Sequence, residues 1–149
     1  MEKEKEELIK WLYKNVKKDD FINQSYNIVE KLSKHKDLNE TIEPIIKLIE
    51  LNPDSDFGNP GPLVHYLESL DEEEYAIKLV ESIKRNPTGQ TLFMFNRMIN
   101  HVEDYLKEGY LQLLESINDS PDISENIKNT IMNYLSFQRK EKKLLKVIS

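Results

Sequence analysis

Apolar residues recur three and four positions apart along almost the whole chain, which is the spacing of helices with one buried face. No segment alternates apolar and polar residues between turn residues, as a half-buried strand does. The pattern therefore predicts an all-α protein of about eight helices. The predicted buried stripes are Ile9, Leu12, Tyr13 and Val16; Ile22, Tyr26, Val29 and Leu32; Ile42, Ile45, Ile46 and Ile49; Leu63, Tyr66, Leu67 and Leu70; Ala76, Leu79, Val80 and Ile83; Leu92, Phe95, Ile99 and Val102; Leu106, Tyr110, Leu113, Leu114 and Ile117; and Ile127, Ile131 and Leu135.

Short polar side chains mark the predicted starts of two helices. Asp19 or Asp20 is placed to accept from the free N–H groups of the second helix. Asp122 and Glu125 have the spacing of a capping box at the start of the last helix. Trp11 lies off the stripe of the first helix, so we expect it to pack against the second.

The segment 54–62 interrupts the helical pattern and is predicted to be a shaped loop. Two glycines and two prolines fall within five positions, namely Gly58, Pro60, Gly61 and Pro62. We expect both glycines to adopt backbone angles that other residues avoid, because their neighbours restrict the chain. Asn96 and Asn100, one helical turn apart, are expected to brace this loop through side-chain to backbone hydrogen bonds.

Three prolines, Pro53, Pro87 and Pro121, are spaced 34 residues apart. The residues four, seven and eight positions before them are Ile49, Ile83 and Ile117; Ile46, Val80 and Leu114; and Ile45, Leu79 and Leu113. This regularity predicts a solenoid of helical pairs with degenerate HEAT-like repeats of about 34 residues. An irregular helical bundle with coincident prolines is the alternative. In either case we predict one domain, 1–149, with a central loop-and-helix core at 54–120.

The charge distribution says more than the net charge of −6. Residues 1–36 carry a net +2, residues 37–122 carry −12, and residues 123–149 carry +4. An acidic middle repels nucleic acid phosphates and attracts a basic protein, although an acidic face that only keeps the protein in solution remains open. The lysine-rich end, 140–149, is expected to be helical or frayed.

Other features of the composition restrict the compartment and the chemistry. The chain has no cysteine, which excludes disulfides and thiolate zinc sites. It has neither a long apolar run nor the apolar segment of a signal peptide, so we expect a cytoplasmic protein that binds no membrane.

The residues predicted to bind a protein partner are mostly acidic and lie around the loop and the helices that follow it. They are Asp54, Asp56, His65, Glu68, Asp71, Glu72, Glu73 and Arg97. The run 71–74 lies at a helix start, where negative charge interacts favourably with the free N–H groups. That role explains the run by itself, but a joint acidic patch with the loop is the hypothesis that we retain.

Candidate catalytic and metal-binding residues are sparse. His65 and Glu68 could supply two metal ligands with Asp54 or Asp56, but a surface histidine beside a carboxylate is the better interpretation. His65, His101 and Arg97 could serve a ribonuclease, but the acidic surroundings oppose a polyanionic substrate. We predict a protein that is not an enzyme and that holds no cofactor or metal.

Three segments, 58–65, 82–88 and 96–100, together resemble small all-helical bacterial immunity proteins, which neutralise polymorphic or contact-dependent growth inhibition toxins. The resemblance covers about residues 54–120. It implies a cognate toxin as partner, with a basic nuclease as one expected class, and an inhibitor that occludes the toxin's active site. The class has no catalytic motif to carry over. A monomer is expected, and a helical-repeat scaffold for another basic partner is the alternative.

Overall fold

The computed structural model describes residues 1–148, with side chains described as far as Lys140. The helices are α1 (Lys3–Asn15), α2 (Phe21–Leu32), a 3₁₀ helix (Leu38–Thr41), α3 (Ile42–Leu51), α4 (Gly61–Glu68), α5 (Glu72–Arg85), α6 (Gly89–His101), α7 (Asp104–Asn118) and α8 (Glu125–Ile148). The described residues contain no strand, which confirms the all-α class. Over the same residues, no helix has the length and apolar character that a membrane span requires. The lysine-rich end is helical as far as Ile148, and Ser149 lies outside the described residues.

The chain divides into two compact units. The first runs from Met1 to Met94, and the second begins at Phe95, inside α6. In the first unit, α1 contacts α3 and α3 contacts α5, while α2 contacts α4. The single domain 1–149 stays a prediction beside this division.

The helices α3 and α5 run parallel, and their contact is called here the α3–α5 seam. Nζ of Lys78 in α5 lies 3.4 Å from Oε2 of Glu43 in α3. Seven residues later in each helix, Arg85 binds Glu50. Each pair is separated by 35 residues, close to the predicted period of 34. A row α1–α3–α5 beside a row α2–α4 is the order that helical pairs produce on stacking. The HEAT-like solenoid itself stays a prediction.

The apolar repeat positions supply much of the core. The buried ones are Ile45, Ile46, Ile49, Leu79, Ile83 and Leu114, whereas Val80, Leu113 and Ile117 are half-buried. The predicted stripe of α3 is buried at all four positions. The helix ends at Leu51, and its C-cap, Asn52, directly precedes Pro53. Pro53 cannot continue the helix because its ring clashes with the preceding turn.

The register of α2 was predicted wrongly by one residue. Phe21, Ser25, Ile28 and Leu32 are buried, while Tyr26 is exposed. Phe21 stacks on Trp11 with ring centroids 6.3 Å apart, which confirms that Trp11 packs against the second helix. The serine can face the core because its hydroxyl donates to the Phe21 carbonyl oxygen, 2.7 Å away.

Several other local predictions are corrected. Tyr13 and Leu106 are exposed, and the Tyr13 hydroxyl donates to the carbonyl oxygen of Pro44. Asp20 is the N-cap of α2, but its side chain makes no capping bond. Ser124, not Asp122, caps α8, because its hydroxyl accepts from the N–H of Ile127 at 3.2 Å.

The second unit contains the pair α7 and α8, which pack together. Arg139 of α8 binds Glu108 and Glu115 of α7. The ring of Phe95 meets that of Tyr110 edge to face, with centroids 5.5 Å apart. Charged and aromatic contacts thus both join elements of this unit.

Candidate protein-binding site

The residues Asp71–Glu74, called here the acidic turn, open helix α5 as predicted. Asp71 is the N-cap, and its Oδ2 accepts a hydrogen bond from the N–H of Glu74 at 3.0 Å. Its own N–H donates to Oδ1 of Asn39, 3.3 Å away, which ties the turn to the 3₁₀ helix. The backbone of the acidic turn is therefore fixed from both sides.

The glutamates of the acidic turn differ from most other glutamates of the first unit, which form ion pairs. Glu72, Glu73 and Glu74 are exposed. Their carboxylates form no ion pair with a lysine, arginine or histidine among the described residues. The helix dipole stabilises them by about 0.3–1 kcal/mol each. Their charge is otherwise directed to solvent.

The loop 52–60 has the shaped backbone that its glycines and prolines predict. Gly58 has φ +96° and Gly61 has φ +83°, and the Asn59–Pro60 peptide bond is cis. Pro62 lies in the first turn of α4, where a missing N–H costs nothing. The loop is anchored by Phe57, which is buried and meets the ring of Phe21 edge to face.

Asp54 and Asp56, called here the loop acids, are exposed beside the turn that joins α1 to α2. Oδ1 of Asp56 accepts from the N–H of Gly58 at 2.9 Å, so this carboxylate also shapes the loop. Both acids line an open depression of about 340 Å³ that Lys17 and Lys18 line as well. The surroundings of the loop acids therefore carry both signs of charge.

The acidic turn and the loop acids lie at opposite ends of α3. Asn39, which holds Asp71, comes just before α3, and Asp54 comes just after it. A helix of ten residues is about 15 Å long. The predicted joint acidic patch is therefore two separate groups.

His65 and Glu68 form a pair on the surface, which is the interpretation that the sequence favoured over a metal site. His65 Nδ1 lies 3.7 Å from Glu68 Oε1, and the histidine side chain is 62% exposed. The predicted third ligands, Asp54 and Asp56, are not part of the three-residue group of described side chains that could hold a metal ion. Arg97 and His101 belong to the second unit, where Arg97 has interactions of its own.

Asn96 and Asn100 have a different role from the predicted one. Their side-chain oxygens both accept hydrogen bonds from Nε2 of the buried Gln138, each at 2.8 Å. They join α6 to α8 within the second unit, and this role replaces the expected bracing of the loop. A buried amide needs such partners, because an unpaired buried N–H costs about 1–3 kcal/mol.

The sequence analysis missed an ion pair in the α3–α5 seam, in which the glutamate is buried and the arginine is partly exposed. Arg85 binds Glu50 through three hydrogen bonds of 2.6–3.2 Å, and the Ser82 hydroxyl donates to the same carboxylate at 2.8 Å. Burial raises the pKa of Glu50, but the bonds from Arg85 and Ser82 outweigh burial and hold it below the usual glutamate range. The separation of 35 residues, close to the repeat period, was the available signal.

Comparison of the chain with protein-family models, with curated proteins and with solved structures finds no match. The exposed charges, and the hydrogen bonds that hold the backbone beneath them, are therefore the observations that bear on function. The backbone of the acidic turn is held by two hydrogen bonds of Asp71, and its exposed glutamates form no ion pair with the described residues. It is the surface that is best suited to a basic partner.

Proposed function

We propose that this protein is an immunity protein, which binds a cognate toxin domain and neutralises it by covering the active site. The observation that carries the proposal is the acidic turn of α5. Three exposed glutamates there have no ion-pair partner among the described residues, while other acids of the same unit do. Repulsion among like charges is relieved when a basic surface covers them. A basic toxin, such as a nuclease, has that surface.

Fixed charge of this kind accelerates association. Complementary charges raise association rates by about 10- to 1,000-fold at low salt, and the effect falls as salt screens them. The turn is held in place before binding, because Asp71 caps α5 and Asn39 binds Asp71. Binding then orders little backbone, and the entropic cost of association is reduced.

The proposed mechanism requires no chemistry from the inhibitor. A toxin that cleaves nucleic acid must bind phosphates with lysine and arginine side chains. The acidic turn competes for those side chains, and the rest of the helical surface keeps the substrate out. The acidic surface also disfavours nucleic acid as a ligand of this protein itself.

A helical-repeat scaffold for a different basic protein is the second candidate. It is favoured by the parallel row of α1, α3 and α5, which is how repeat proteins build extended binding surfaces. The neighbouring gene separates the two candidates, since a long secreted protein with a variable toxic C-terminal domain encoded immediately upstream favours immunity.

The test is charge reversal in the acidic turn with a matched control elsewhere. The variant carries Glu72→Lys and Glu73→Lys, and the control carries Asp119→Lys and Asp122→Lys, two exposed acids of the second unit. Both change the net charge equally. Association with the toxic domain encoded next to this chain is measured at about 0.05 and 0.5 M salt, between which the screening length falls from about 14 to about 4 Å.

We expect the acidic-turn variant to associate at least about tenfold more slowly at low salt, with a flatter salt dependence, and to protect cells less well. The control should melt like the parent, because exposed charges contribute little to folding. The acidic-turn variant should melt slightly lower, because Glu72 and Glu73 each lose about 0.3–1 kcal/mol of favourable interaction with the dipole of α5. Equal effects of the two variants would show that only overall charge matters. An unchanged association rate for the acidic-turn variant would show that the acidic turn is not the binding surface. Hydrolysis of RNA or DNA by the protein that is lost on His65→Ala would favour an enzyme instead.

A further inference from the structure

Three side chains that the proposed binding site does not use meet at the start of α1. Glu2 is the N-cap of α1, Glu4 lies in its first turn, and His35 follows α2. Glu2 Oε2 lies 3.2 Å from Nδ1 of His35, and Glu4 Oε2 lies 3.7 Å from Nε2. One ligand atom from each residue can be chosen so that all three lie within 4.8 Å of one another.

The three ligand atoms, all within 4.8 Å of one another, are spaced somewhat more widely than in a metal site. Only one imidazole nitrogen can bind the ion, and the two carboxylates lie beside different nitrogens, so one carboxylate has to turn toward the nitrogen that binds. Two ligands bonded to Zn²⁺ at about 2.0–2.2 Å in a tetrahedral arrangement lie about 3.3–3.5 Å apart. The glutamate side chains are 55% and 69% exposed, so their carboxylates can move by the remaining ångström without disturbing the core. The imidazole is only 14% exposed and supplies a fixed point for the site.

The backbone beside His35 is fixed by a buried lysine. Nζ of Lys5 donates to the carbonyl oxygens of Lys36 and Asp37 at 2.6 and 3.2 Å. The third partner of Nζ is the carboxylate of Glu40, at 3.0 Å, which balances the charge of the ammonium group. The turn that carries His35 is therefore held against α1 before any ion binds.

We propose that Glu2, Glu4 and His35 form a binding site for a divalent transition metal ion, with Zn²⁺ as the preferred ion. One imidazole nitrogen and two carboxylate oxygens supply three ligands, and water completes the tetrahedron. Ca²⁺ prefers six to eight oxygen ligands, so the imidazole disfavours it. The ion joins the N-terminus of α1 to the segment after α2, and it should raise the melting temperature.

The test uses the full chain without a polyhistidine tag. Zn²⁺ binding is measured by competition with a chromophoric zinc indicator, and Ca²⁺ is titrated separately. The variants are His35→Ala and Glu4→Gln, the second of which keeps the shape of the side chain. His65→Ala is the matched control, because His65 also faces a glutamate, Glu68, but is exposed and has one carboxylate beside it.

We expect one Zn²⁺ per chain, a loss of about tenfold or more in affinity for His35→Ala and Glu4→Gln, and no change for His65→Ala. The zinc-dependent rise in melting temperature should disappear with the same two variants. Glu4→Gln keeps the test decisive if His35→Ala folds poorly. The site is overturned if both variants bind like the parent, if His65→Ala is equally affected, or if Ca²⁺ binds as tightly as Zn²⁺.

Discussion

The α3–α5 seam and the acidic turn hold glutamates in opposite settings on neighbouring elements. In the seam, the carboxylate of Glu50 is buried and bound by Arg85 and Ser82. In the acidic turn, Glu72 and Glu73 are exposed and have no ion-pair partner among the described residues. The difference separates charge that holds the fold together from charge that is available to a partner.

The contrast implies that substitutions in the two regions act on different measurements. A buried carboxylate that loses its partner is left uncompensated, so the free energy of unfolding falls. An exposed carboxylate contributes little to folding and acts on association instead.

Truncation of a core residue of α5 should give the largest change in stability. Ile83 is fully buried in α5, and Ile83→Ala should lower the free energy of unfolding by about 2–5 kcal/mol, because it removes buried methyl groups and leaves a cavity. Ile77→Ala, on the same helix but 46% exposed, is the control and should cost less than about 1 kcal/mol. Denaturant unfolding measures both. Similar values for the two would mean that Ile83 is not a core residue.

Substitution of glycine in the loop after α3 should give the next largest loss of stability. A Cβ added at Gly58 would lie 2.5 Å from the Cα of Gly61, and φ at this position is +96°. Gly58→Ala should therefore cost about 2–4 kcal/mol, from strain and overpacking together. At Gly61, where φ is +83°, an added Cβ meets nothing within 4 Å, so Gly61→Ala should cost only about 1–2 kcal/mol. Thermal and denaturant unfolding should rank them in this order, and the reverse ranking would contradict the loop geometry.

The ion pair of the seam should give a smaller change. Arg85→Ala leaves the buried carboxylate of Glu50 with Ser82 as its hydrogen-bond donor. We expect a loss of about 1–3 kcal/mol. The loss stays below that of a fully buried pair, because the arginine side chain is 44% exposed and partly screened by water. Lys84→Ala, at the exposed neighbouring position, should change stability by less than about 0.5 kcal/mol. A neutral Arg85→Ala would show that the seam does not depend on this pair.

The all-α fold class followed from periodicity alone, but the buried face of α2 did not. Two stripes of α2 have helical spacing and differ by one residue, which is a rotation of about 100°. Hydrophobicity favours the stripe of Ile22 and Tyr26. The structure uses that of Phe21 and Ser25, because the Phe21 ring lies between those of Trp11 and Phe57. Contacts across 10 and 36 residues of sequence decide this orientation, and local periodicity does not contain them.

The local structural settings of several candidate site residues were predicted, but their arrangement in space was not. The place of Asp71–Glu74 at a helix start and the positive φ angles of Gly58 and Gly61 follow from local rules, and both are confirmed. The joint patch failed because α3 separates its two halves, and proximity in sequence across a loop does not fix distance. The group of Glu2, Glu4 and His35 was missed because His35 lies 31 or more residues from the two glutamates and no motif connects them.

The smallest predicted effect is a change in the acid dependence of stability. The pKa of Glu50 is lower in the folded chain than the ordinary glutamate value, so on acidification the unfolded chain binds its proton first. The stability that this group contributes is therefore complete above the ordinary glutamate pKa and is lost as the pH falls through the folded value. Glu50→Gln cannot titrate there. Its free energy of unfolding should fall less steeply than that of the parent between about pH 5 and pH 2, although it starts lower at pH 7 because the charged hydrogen bonds from Arg85 are weakened. Urea unfolding across that range measures both slopes. Parallel curves would mean that Glu50 takes up its proton equally in the folded and unfolded chains, and that its bonds to Arg85 and Ser82 do not favour the charged form.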